Sequence, residues 1–197
     1  MKIIKADQID LQEVIDILAK GGIIIYPTET LYGIGGKYNN KKVLQKIFEI
    51  KKRPQEKSFP LIIDLKHLSL VAESVSPQAW KLIEKYWPGP LTLLLPAKKH
   101  LPREIKKENK VAVRMPGESF ALNLIKISPF PITATSANIS GEPGADCVET
   151  AISYFKGEKI DLLIDGGKLP GIASTILDIT INPPKILRKG SIELSFD

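Results

Sequence analysis

The chain predicts a single-domain α/β protein with a mixed sheet and flanking helices, and three observations lead there. Short apolar runs of strand length alternate with longer segments whose apolar residues recur at helical spacing. Some strands are separated by tight turns, Asp165-Gly166-Gly167 and Asn182-Pro183-Pro184, and others by helices, so parallel and antiparallel pairs should coexist. A length of 197 residues with 43% hydrophobic content suits one core, and no repeat or long linker divides it.

Asp10 caps a periodic segment, Leu11 to Lys20, that stops at Gly21-Gly22. Ile23-Ile24-Ile25-Tyr26 is a buried-strand signal that leads into a loop rich in hydroxyls. A helix over 41–52 carries Val43, Leu44, Ile47, Phe48 and Ile50 and ends before Arg53-Pro54, where the proline restricts its predecessor. Leu61 to Asp64 is the next strand. Ser76 caps a helix with Pro77 at its first position, and Trp80 and Trp87 on that helix are expected in the core. Pro88-Gly89-Pro90 breaks it, and Leu91 to Leu95 is a strand. The lysine-rich stretch 98–110 reads as a solvated excursion. Val111 to Arg114 is a strand, Phe120 to Ile127 a helix, Ile132 to Ser136 a strand, and Glu149 to Phe155 a helix that stops at Gly157. Runs at 162–164, 174–179 and 186–188 supply the last strands.

A net charge of +6, from 28 basic and 22 acidic residues, points to anionic partners, either nucleotide or nucleic acid. Cys147 stands alone, which excludes an intramolecular disulfide framework and a cysteine-built zinc site. The amino terminus has no signal-peptide core, and no apolar run reaches the roughly 18 residues that span a bilayer. A cytoplasmic protein without membrane contact is expected.

Three distant stretches place hydroxyls at the ends of apolar runs: Pro27-Thr28-Glu29-Thr30-Leu31-Tyr32-Gly33, Thr133-Ala134-Thr135-Ser136-Ala137-Asn138 and Ala173-Ser174-Thr175. None brings a histidine, a cysteine or paired carboxylates beside them, so the pattern can orient a ligand but offers no protein nucleophile. Bond-making would then belong to the substrates. Only four of the basic residues are arginines, and Arg53, Arg114 and Arg188 lie beside strand-like or motif segments. Retained arginines suit a planar fork onto carboxylate or phosphate, or else three ordinary salt bridges. There is no P-loop, and Gly33-Ile34-Gly35-Gly36 fails the dinucleotide spacing. His67 and His100 neighbour no hydroxyl cluster, which argues against a serine–histidine triad. Glu29, Asp64 and Asp165 read either as magnesium ligands on a nucleotide or as turn and cap residues.

Seven segments occur in a fixed order: Ile25 to Gly33, Lys51 to Pro54, Trp87 to Thr92, Val113 to Pro116, Thr135 to Gly141, Ala173 to Thr175 and Leu187 to Gly190. Together they resemble the YrdC family of threonylcarbamoyl-AMP synthases over nearly the whole chain, in its short form without an extra carboxy-terminal domain. The resemblance implies an open, twisted sheet around a positively charged cavity. It implies that L-threonine and bicarbonate form a carbamate that attacks the α-phosphate of ATP and expels pyrophosphate, with Mg2+ accompanying the nucleotide. A separate threonylcarbamoyl transferase would then use the adenylate to modify tRNA. Carried over by position, Thr30, Arg114, Ala134 (through its backbone) and Ser174 would bind L-threonine. Arg53, Lys57, Ser136 and Arg188 would bind ATP, with Lys110 and Gly144 lining that site through backbone groups. Thr28 and Tyr32 share the first loop as contacts or as scaffold, while Asn138 and Gly141 hold a turn. Where many relatives have Lys or Asn directly before a proline, Lys57 is followed by Ser58-Phe59-Pro60, and Ile62 stands where some carry a threonine-facing histidine.

Two other readings remain. An RNA-binding module of the same fold would use the lysines of 98–110, although no RNA-binding signature accompanies them. A carbamoyl-transfer domain like that of hydrogenase-maturation proteins would need cysteine-rich zinc segments, and the chain has one cysteine.

Overall fold

In the computed structural model, which describes residues 1–194, the strands divide between two mixed sheets. The first runs in the order β1 (Lys2–Lys5), β9 (Leu162–Asp165), β2 (Ile24–Pro27), β3 (Tyr32–Gly35) and β8 (Thr135–Ser136). The second runs β11 (Lys185–Arg188), β10 (Thr175–Asp178), β5 (Leu91–Pro96), β6 (Lys110–Arg114), β4 (Leu61–Ile62) and β7 (Ile132–Thr133). Strand β9 pairs in parallel with β1 and β2, and β5 is parallel to β10 but antiparallel to β6. The expected mixture of strand directions is present, distributed over two sheets.

The run expected as one strand, Ile132 to Ser136, serves both. Its Ala134 amide donates to the Pro60 carbonyl at 2.8 Å, so β7 pairs with β4 and β8 with β3. Tyr26, wholly buried on β2, donates its hydroxyl to the Thr133 carbonyl at 2.8 Å and ties the sheets at that crossing. Turn Asn182-Pro183-Pro184 joins the antiparallel pair β10 and β11. The turn at Asp165-Gly166-Gly167 differs from expectation: β9 and β10 belong to different sheets, and a long exposed loop connects them.

Helix α1 (Leu11–Ala19) is capped by Asp10, whose carboxylate accepts from Gln12 N, and buries Val14, Ile15 and Leu18. Helix α2 (Lys41–Ile50) buries the five expected apolar residues. A short helix, α3 (Leu68–Val71), follows a 3-10 turn in which His67 and Asp64 cap each other. His67 is buried and its ring lies 3.0 Å from the Ser128 carbonyl, so it is structural. Helix α4 (Pro77–Tyr86) starts at Ser76 as expected. Trp87 is buried and donates its indole N–H to the Leu91 carbonyl at 2.7 Å, whereas Trp80 is 40% exposed and outside the core. Only one face of α4 meets the protein, and Trp80 lies off it. The lysine-rich stretch is likewise less solvated than expected, since Leu101 and Ile105 anchor it in the core. Helices α5 (Phe120–Ile127) and α6 (Val148–Phe155) complete the set, with α5 packing on α1 and β2.

Candidate active site

The loop from β2 to β3 is shaped by its own hydroxyls. Thr28 Oγ1 accepts from the Thr30 and Leu31 amides at 3.1 and 3.2 Å and donates to the Leu31 carbonyl at 2.7 Å. Its proton is therefore committed, so Thr30 donates across the 2.8 Å bond between the two hydroxyls. Thr30 in turn accepts from Arg114 Nη1 at 3.3 Å. Arg114 closes β6, where β4 lies alongside, and its Nη1 also donates to Glu29 Oε1 at 3.0 Å. Tyr32 is scaffold at its hydroxyl, which donates to the Gly167 carbonyl at 2.8 Å and accepts from the Gly166 amide at 3.0 Å. Burial is the main cause that pushes its pKa up to about 12.

A second cluster forms where β10 and β11 meet. Arg188 donates from Nη2 to Ser174 Oγ and from Nε to the Ser174 carbonyl, both at 3.0 Å, and Ser174 Oγ lies 2.9 Å from Thr92 Oγ1. The chain can press this close because Gly190 follows. A Cβ there would fall 2.3 Å from the Ala173 carbonyl oxygen, while the Gly190 amide donates to Thr175 Oγ1.

The end of α2 organises the third cluster. The Lys52 amide donates to the Glu49 carbonyl and the Arg53 amide to that of Phe48, the paired bonds of a Schellman end, with Lys52 at φ 49° where glycine is usual. Lys51 is buried, and its ammonium donates to the Ser136 and Asn138 carbonyls and to Asn138 Oδ1. Burial, and secondarily Arg53, pulls its pKa down to about 7. Ser136 Oγ donates to Asn138 Oδ1 at 2.6 Å, and the Asn138 amide group donates to the Ile139 and Glu142 carbonyls, which fixes the turn as expected. Arg53 donates to the Lys57 and Ser58 carbonyls at 3.1 and 2.9 Å and lies over the Phe59 ring.

These clusters surround one cavity of about 470 Å³. Arg53, Arg114 and Arg188 all line it, as do Thr28, Thr30, Tyr32, Lys110, Ala134, Ser136, Gly144 and Ser174. Lys57 does not; it is exposed and meets the site only through the carbonyl that Arg53 uses. The Ala134 amide is committed to Pro60, while the Lys110 amide donates to the Lys107 carbonyl at 2.8 Å and the Lys110 carbonyl accepts from the Lys107 amide at 2.9 Å. The Lys110 ammonium pairs with Asp178 at 2.7 Å. Five cations and one carboxylate, Glu142, stand on the walls, so the hollow is cationic. Burial lowers the pKa of Arg53, and burial together with Arg114 lowers that of Arg188. Sequence reasoning missed Lys51, Thr92 and Lys107. Lys51 stood in a noted motif, but nothing local distinguishes a buried lysine from its exposed neighbour Lys52.

Among the described residues no three His, Cys, Asp or Glu side chains gather as a metal site. Glu29 pairs with Arg114, Asp64 caps a turn, and Asp165 accepts from the Gly167 amide. The donor set therefore does not fit a magnesium ion held by protein carboxylates.

The profile of the Sua5/YciO/YrdC family, described as "Telomere recombination", matches residues 16–190. A threonylcarbamoyl-AMP synthase of Pyrococcus abyssi is 41% identical over 182 residues, covering 90% of this chain and 53% of that protein. The crystal structure of P. abyssi Sua5 complexed with L-threonine superposes with a TM-score of 0.90 at 37% identity, over 96% of this chain and 58% of the other. Escherichia coli YciO superposes with a TM-score of 0.81 at 28% identity, covering 91% of this chain and 88% of that one. The chain spans about half the length of the curated synthases it matches. With ordered motifs, fold and family profile in agreement, the chain belongs to the Sua5/YciO/YrdC family.

Proposed function

We propose that the protein joins L-threonine, bicarbonate and ATP into threonylcarbamoyl-AMP and pyrophosphate. The observation that carries this reading is the convergence of Arg53, Arg114 and Arg188 with Thr30, Ser136 and Ser174 on one cavity whose described lining includes no histidine or cysteine. The threonine amine takes up bicarbonate and loses water to give a carbamate. A carbamate oxygen then attacks the α-phosphorus, and the bond to the pyrophosphate oxygen breaks. Such a displacement needs alignment and charge neutralisation from the protein, not a covalent partner. Arg114 is assigned to the threonine carboxylate, with Thr30 and Ser174 beside it and the Ala134 carbonyl in reach. Arg53 and Arg188 are assigned to phosphates, Ser136 to the nucleotide, and Lys110 and Gly144 to its backbone contacts. Lys57 has no part in this scheme. Magnesium would enter as part of the nucleotide, held by phosphate oxygens. The adenylate would pass to a separate threonylcarbamoyl transferase acting on tRNA, a cytoplasmic task. Among the described residues no helix is long and apolar enough to cross a membrane.

The test is incubation with ATP, labelled bicarbonate and threonine. Pyrophosphate and a labelled adenylate are expected, and Arg114→Ala should weaken threonine use by about 1.5–3 kcal/mol. Absence of both products, beside an active synthase as control, refutes the reading. Salt-sensitive RNA binding without adenylate formation would instead favour the RNA-binding alternative.

A further inference from the structure

We propose that Glu29 is a positioning residue for the threonine subsite, acting on the ligand only through Arg114; this rests on the functional reading above. Thr28 and Thr30 line the cavity, but Glu29 between them does not. Its side chain is 15% exposed and sits behind the arginine, with Oε1 accepting from Arg114 Nη1 at 3.0 Å. Nη1 is also the atom that meets Thr30. Among the described residues no hydrogen bond engages Nε or Nη2, so the two-pronged edge of the guanidinium stays free for a carboxylate while the opposite corner is clamped.

The second carboxylate oxygen is the telling feature. Glu29 Oε2 is buried and has no hydrogen-bond partner. An orphaned carboxylate oxygen costs stability, and such exceptions in folded proteins ask for a reason. Holding one corner of a cavity arginine is such a reason.

The surroundings are built to keep the carboxylate there. A Cβ on Gly117 would fall 3.1 Å from Glu29 Cγ, 3.4 Å from its Cδ and 3.5 Å from Gly89 Cα, and the Gly89 amide donates to the Met115 carbonyl at 2.9 Å. Gly117 thus packs directly on Glu29, which gives that glycine a purpose that the cavity lining alone does not.

Steady-state kinetics of the intact protein, with threonine and ATP varied separately, test the assignment. Glu29→Ala should raise the threonine KM at least tenfold and leave the ATP KM within twofold. Glu29→Gln keeps an oxygen acceptor for Nη1 and should restore the threonine KM to within about threefold of wild type. An unchanged threonine KM in Glu29→Ala, an equal rise for ATP, or a glutamine variant as impaired as alanine would overturn the role. If the alanine variant does not fold, Gly117→Ala, which presses a methyl on Glu29 with its charge intact, should raise the threonine KM at least twofold. No change there overturns the proposal as well. Wild-type protein that shows no saturation by threonine refutes the functional reading and this inference together, whereas saturable wild type with silent variants refutes the inference alone.

Discussion

A lysine buried beneath a turn of hydroxyls and carbonyls has a consequence that pH can read. The Lys51 pKa is lowered to about 7 from its ordinary 10.5, chiefly by burial. Between those values the unfolded chain keeps a proton that the folded chain binds less tightly, so stability should climb with pH, by no more than about 1.4 kcal/mol per unit. Urea unfolding of wild type and Lys51→Met at pH 7, 8 and 9 should show that rise in the wild type alone. Parallel slopes would mean that the three oxygens keep the ammonium fully charged throughout. Arginine contrasts with lysine here. Burial lowers the pKa of Arg53 and Arg188 too, yet a guanidinium starts so high that both stay cationic, as suits groups meant to face anions.

At the scale of elements, helix starts were legible because their causes are local. Asp10 and Ser76 accept from amides two or three residues on, and sequence alone shows such pairs. Helix ends were less so. The end of α2 was expected at about Lys52 from the proline at 54, yet the chain turns through a left-handed Lys52, φ 49°, with no glycine to announce it. That conformation disfavours a side chain bearing a Cβ, and the same turn sends Lys51 inward and Arg53 to the cavity wall. Lys52→Gly should therefore stabilise the protein by about 0.5–1 kcal/mol in thermal or urea unfolding. A loss of stability would show that the lysine side chain contributes more than its backbone costs. The single strand expected over Ile132 to Ser136 failed for a related reason, since its division at Ala134 depends on a hydrogen bond to the distant Pro60.

For the whole molecule, the decisive arrangement is the joining of two sheets around one cavity. Tyr26 of the first sheet donates to Thr133 of the second, and burial raises its pKa, so the hydroxyl stays a donor across the working range. Tyr26→Phe deletes that bond and leaves the carbonyl short of a partner, at an expected cost of about 1–2 kcal/mol in unfolding free energy. A neutral result would place the coupling elsewhere, for instance in the Thr133 hydroxyl that accepts from the Gly36 amide at 2.9 Å. The expected basic cavity is present, and eleven of the twelve residues assigned to it stand on its walls. Lys57, which the family resemblance puts on the nucleotide, is exposed and does not line the cavity.

The amino-acid order by itself determined the α/β class, the helix caps, the hydroxyls at strand ends and the scarcity of arginine, because each is a matter of side-chain chemistry or of neighbours a few residues apart. The meeting of Arg53, Arg114 and Arg188, the burial of Lys51 and the clamp of Glu29 on Arg114 were decided by tertiary structure. They depend on which strands pair across the chain, and pairing is settled by competition among long-range contacts that no local pattern encodes.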